Sequence, residues 1–125
     1  MIKLEKPVIK LNSLEKTVVH IPTEESATEL MRVFECGGWV RIRTRTSPTQ
    51  CGVFYEGICF GAGINFNEEN GRFGHAPKEI YITKGWNVIS KKDFYAQQPE
   101  ATPDKRVEIN AYFDWKEKQK KTDYF

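Results

Sequence analysis

Four residues in alternation carry the clearest chemical potential of this chain: Trp39, Arg41, Arg43 and Arg45. Alternate residues of an extended strand share a face and lie ~6.6–6.8 Å apart. That spacing is close to the distance between phosphates along a nucleic acid strand or within a nucleotide. The arginine guanidinium binds phosphate bidentately, and a tryptophan on the same face can stack a base. The row therefore suits a nucleotide, an oligonucleotide or an acidic protein surface. It equally suits a solvated strand face on which arginine guards an edge or pairs with glutamate. Arg72, Phe73 and the lysine-rich tail (Lys116, Lys118, Lys120, Lys121) are secondary candidates for the same contact, although Asp114 and Glu117 also fit the tail to a solvated helix.

Other chemistries find little footing. Nucleophilic catalysis needs a nucleophile, a base and an orienting group. Cys36, Cys51 or Cys59 with His75 is the available combination, and no local signature joins them. The two histidines and three cysteines lack CxxC or HxxxH spacing, so no metal ligands are assigned; His20, in an apolar strand, reads as a packed residue. Gly61-Ala62-Gly63 lacks a third glycine and a following capped helix, so it reads as twisted strand and not as a phosphate loop. Asn65, Asn67 and Glu69 alternate like a calcium loop, but its sixth position is Asn70 and its twelfth is Ala76. The sequence gives no catalytic residue and no cofactor, and points to a protein that binds.

The elements that position the arginine row are written locally. Thr17, Val18, Val19 and Ile21 form a β-branched strand, closed by Pro22. Thr23 caps a helix over about 23–36, with Glu24 and Glu25 at the positive end of its dipole. Ala27, Leu30, Met31 and Phe34 share one helical face. Gly37 and Gly38 supply a left-handed stop, after which the period changes to two.

Beyond the exposed loop 46–50, Val53–Tyr55 and Ile58–Phe60 suit a hairpin or a bulged strand about Glu56-Gly57, and Asn70-Gly71 is a turn. Residues 72–77 read as irregular. Residues 79–83 fit either a strand or a helical turn. Asn87–Ile89 is a short strand, and Ser90 with Asp93 caps a short helix near 91–97. The linker 99–104 leads to Arg106–Phe113, whose alternation predicts a strand with Val107, Ile109, Ala111 and Phe113 on one face. A tail follows that starts as a helix anchored by Trp115. The expected fold is α+β: a twisted antiparallel sheet under one main helix, with a C-terminal strand and helix extension.

At 125 residues, with 39% apolar and 29% charged residues, the chain is expected to form a single domain with a well-solvated surface. Residues 1–15 read as an arm: a frayed or edge-strand segment about Val8-Ile9, or a contact to a second subunit of a homo-oligomer. Residues 98–125 read as an extension packing on the domain or on a partner. The net charge of +2 does not by itself argue for nucleic acid. Three cysteines without an export signal or an apolar span point to free thiols and a cytoplasmic protein, away from membranes.

Pro22-Thr23-Glu24-Glu25, Gly38-Trp39 and the run from Gly85-Trp86-Asn87-Val88-Ile89-Ser90 to Phe94 resemble a diffuse class of small phage-encoded proteins, over about residues 16–96. That class includes anti-defence proteins similar to the anti-Thoeris sponges, which sequester cyclic ADP-ribose-type signals. The resemblance implies a non-enzymatic inhibitor of a bacterial defence system in the host cell cytoplasm. Its partner would be a host defence protein, such as a CRISPR effector, or a nucleotide messenger. The alternative is a small nucleic-acid-binding module using Arg41, Arg43, Arg45 and the lysine tail. The arginine-rich strand and the 97–125 extension depart from the class pattern.

Overall fold

The computed structural model describes residues 4–12, 16–41, 47–50, 52–62 and 72–122. In chain order the elements are β1 (Thr17–His20), α1 (Glu24–Cys36), β2 (Val40–Arg41), a 3-10 turn (Pro48–Gln50), β3 (Ile58–Ala62), β4 (Arg72–Pro77), α2 (Lys78–Thr83), β5 (Asn87–Ser90), α3 (Lys91–Ala96) and α4 (Pro103–Thr122). The fold is α+β, with five strands in the order β2-β4-β3-β1-β5. The sheet is mixed, which corrects the antiparallel expectation. β1 pairs parallel with β5 and β2 parallel with β4, while β3 is antiparallel to both of its neighbours. No helix among the described residues is long and apolar enough to cross a membrane.

Strand alternation sends side chains to two cores. On one face Val19, Ile21, Ile58, Phe60 and Phe73 meet Leu30, Val33 and Phe34 of α1, Phe94 of α3 and Ile109 of α4. On the other face Val18 and Cys59 meet Tyr81 of α2, with Trp86 and Val88 packed alongside. Gly61 allows this second contact. A Cβ there would stand 3.2 Å from Val18 Cγ1 and 3.5 Å from the Tyr81 hydroxyl.

The local signals act as read. The Thr23 and Ser90 side chains accept from the Ser26 and Asp93 amides, capping α1 and α3. The left-handed stop belongs to Gly38 alone (φ 77°); Gly37 stays helical (φ −83°). A Cβ at Gly38 meets nothing, so the cost of Gly38→Ala is conformational only. It is expected to lower stability by about 1–2 kcal/mol, measured by denaturant unfolding.

Three segments differ from the sequence reading, and a fourth resolves one of its two alternatives. Residues 106–113 are helical, within α4, and not a strand. Of the expected apolar strand face only Ile109 and Phe113 are buried, at helical i, i+4 spacing, while Val107 is 69% exposed. Thr102 accepts from the Lys105 amide and Pro103 opens the helix, so the linker contained a cap followed by proline at the first helical position. Residues 72–77 form β4, a strand held between β3 and β2 despite its glycine and proline. Of the two readings left open for residues 79–83, strand or helical turn, the helical one holds: they belong to helix α2. Val53–Tyr55 is not a strand; it leads into a turn closed by Ile58 N–H donating to Tyr55 C=O at 3.1 Å. The Asn70-Gly71 turn lies outside the described residues.

The N-terminal arm forms no strand over residues 4–12 and packs on its own chain. Ile9 and Leu11 are buried, and Ile9 N–H donates to the Cys36 carbonyl at 3.1 Å. Buried Gln98 holds Asn12 with two bonds, its amide accepting from Asn12 N–H at 2.6 Å and donating to Asn12 C=O at 2.8 Å. The C-terminal extension joins the same core. Arg32 of α1 bonds Asn110, Asp114 and Glu117 of α4. Glu29 binds Lys91 of α3 at 2.9 Å and approaches Arg106 of α4 at 3.8 Å.

Candidate anion-binding groove

β1 and β5 run parallel, so their carboxyl ends meet at one edge of the sheet, with His20 opposite Ser90. β1 leads through Ile21-Pro22 to the start of α1, and β5 runs directly into α3. Between them lies an open groove of about 480 Å³. Its floor is apolar, from Pro22, Val88 and Ile89, and its polar wall comes from His20, Ser26, Lys78, Ser90, Lys91 and Lys92.

Three lysines enter this space, and they are not equivalent. Lys91 is committed to Glu29 at 2.9 Å and stands over the Tyr95 ring. Lys78 and Lys92 have no carboxylate partner among the described residues; the acids adjacent in sequence are Glu79 and Asp93. Lys78 is fixed through its backbone, whose N–H donates to the Gly57 carbonyl at 2.8 Å. The hydroxyls are also poised. Ser90 Oγ accepts from the Asp93 amide, and Ser26 Oγ accepts from the Thr23 hydroxyl. Each serine therefore keeps its own hydrogen to donate. Two unspent ammonium groups, two hydroxyl donors and an imidazole around an apolar floor suit a ligand with an anionic group and a non-polar body.

The residues singled out from sequence fall elsewhere. Trp39 is 3% exposed, with its ring 4.7 Å from Phe34 and 6.5 Å from Phe94. Phe73 is fully buried against Phe34 and Phe60. Both are core side chains with no ring face open to a base, which corrects their assignment as contact residues. The reason is that α1 covers the face of the sheet on which they lie. Arg41 and Arg72 come together at backbone level, in the paired strands β2 and β4, where Val40 faces Arg72 and Arg41 faces Phe73. Arg43 and Arg45 lie outside the described residues.

Cys36 and Cys59 are free and buried, one in each core. Burial pushes both thiols up to about 11, far from the range of a reactive thiolate. Cys51 lies outside the described residues. Tyr55 donates to or accepts from His75 Nδ1 at 3.0 Å, and burial raises the Tyr55 phenol above its ordinary value. No group of three or more potential metal ligands occurs among the described residues.

Sequence reasoning missed His20, Ser26, Lys78, Ser90 and Lys92 as a group. Part of the signal was present, because the Thr23 and Ser90 caps mark helices that start where two strands end. The missing information was that those strands are parallel neighbours. No family profile, curated protein or solved structure matches this chain.

Proposed function

We propose that this protein works by binding an anionic, phosphate-bearing ligand in the groove at the carboxyl ends of β1 and β5. The observation that carries this reading is the pair Lys78 and Lys92, without a carboxylate partner among the described residues, beside two donor-competent serines. In the biological setting suggested by the phage-protein resemblance, the protein inhibits a bacterial defence system by occupancy in the host cytoplasm. The groove favours sequestration of a nucleotide signal over the blocking of a defence protein such as a CRISPR effector. Nucleic-acid binding through the lysine tail has less support, since α4 seats Lys116 over the Tyr112 ring.

Calorimetric titration with adenosine diphosphate ribose, inorganic phosphate and a single-stranded oligonucleotide at ~50 mM salt tests this reading. The expected result is saturable binding of the nucleotide. A unit-charge contact near the surface is worth ~1 kcal/mol or more, so reversing it in Lys78→Glu or Lys92→Glu should weaken affinity roughly 10- to 30-fold. The melting temperature should hold, since neither lysine has an acidic partner to lose among the described residues. Arg43→Ala should leave this binding intact. If Arg43→Ala abolishes it while both lysine variants bind normally, the ligand sits on the arginine strand and the groove assignment is wrong. Oligonucleotide binding with a steep salt slope, and no nucleotide binding, would support the nucleic-acid module instead.

A further inference from the structure

A second cavity lies between α1, residues 48–50 and 52–54, and α4, with no lining residue in common with the groove. Its volume is about 230 Å³, below the ~300–1,000 Å³ of sites that enclose drug-sized ligands. Met31, Val53, Phe54 and Phe113 give it an apolar lining from three separate elements.

Four of the polar side chains around this lining, Arg32, Thr28, Thr49 and Glu117, are already spent. Arg32 is held by Asn110, Asp114 and Glu117 at 3.0–3.2 Å. The Thr28 hydroxyl donates to the Glu24 carbonyl at 3.1 Å, and the Thr49 hydroxyl donates to the Glu35 carboxylate. The remaining charges of the lining, Glu24 and Lys116, are opposite in sign. A charged ligand would lose hydration here, and whichever of Glu24 and Lys116 attracts it the other repels it, so the lining favours neither sign of charge. Two phenylalanine rings and a polarisable, unbranched methionine instead favour an aromatic guest, through edge or offset ring contacts and sulfur contacts.

We infer that the cleft between α1 and α4 is a binding site for a small, uncharged aromatic ring. It is independent of the anion groove, so either assignment can fail without the other.

The test is a titration of the isotopically labelled full chain with indole, followed by backbone amide shifts. Cyclohexanol, similar in polarity but not aromatic, serves as the comparison ligand. Indole should move the Ala27, Met31, Val53 and Phe113 amides saturably, and cyclohexanol should bind at least 5-fold more weakly, by roughly 1 kcal/mol of lost aromatic contact. Thr28→Trp and Gln50→Trp fill the cleft from opposite walls at exposed positions, and each should cut indole affinity at least tenfold. If one variant fails to fold, the other decides. Shifts confined to other residues, no saturable shifts, equal binding of cyclohexanol, or undiminished affinity in a folded filled variant would each overturn the assignment.

Discussion

Trp39→Ala is expected to lower the unfolding free energy by about 3–5 kcal/mol, the cost of truncating a large buried aromatic. Trp39 follows the Gly38 stop and turns its ring into the core, where Phe34 and Phe94 flank it. Each such ring pair contributes about 0.5–1.5 kcal/mol beyond area burial. Against a total stability of about 5–15 kcal/mol, the loss would leave the domain marginal. Helical circular dichroism in a guanidinium titration measures it without depending on tryptophan emission, which Trp86 and Trp115 also supply. Trp39→Phe should recover part of the loss and bind the nucleotide as the parent does. A stable Trp39→Ala variant that no longer binds ligand would return Trp39 to the binding surface and contradict its place in the core.

The second large effect concerns Gln98, 2% exposed and the sole buried polar or charged residue among those described. Its amide makes the same two bonds to Asn12 that a neighbouring strand would make, and so ties the arm to the turn after α3. Gln98→Ala removes both bonds and leaves a small void, for an expected loss of about 1–3 kcal/mol. The distinctive result is local. Hydrogen exchange at Ile9 and Asn12 should accelerate far more than at Val18 or Phe60, because the arm opens before the sheet does. Leu11 packs where a Cβ on Gly37 would fall, 2.4 Å from its Cδ1, so a released arm also uncovers the end of α1. Uniform acceleration across the sheet would mean that Gln98 supports the whole core and does not serve as a clasp for the arm.

These two residues show how far local reading reached. Trp39 was legible as strand-proximal and aromatic, but whether such a ring faces ligand or core depends on which element covers that side of the sheet. Gln98 carried no signal, since its partner Asn12 is 86 positions away. The 106–113 segment shows a conflict between periods. Its alternation is real in the sequence, yet the Thr102-Pro103 start and the burial of Ile109 and Phe113 against α1 favour the helix.

By itself the sequence determined the β1–α1 unit, the Thr23 and Ser90 caps, the Gly38 stop, the short α3 helix and the α+β class. Each of these rests on hydrogen bonds and side-chain periods spanning a few residues. Tertiary structure alone decided the parallel pairing of β1 with β5, the burial of Trp39 and Phe73, the helical state of α4, and the gathering of His20, Ser26, Lys78 and Lys92 at one sheet edge. Those outcomes depend on strand register and on which faces pack together, and both are set by contacts between residues far apart in the chain.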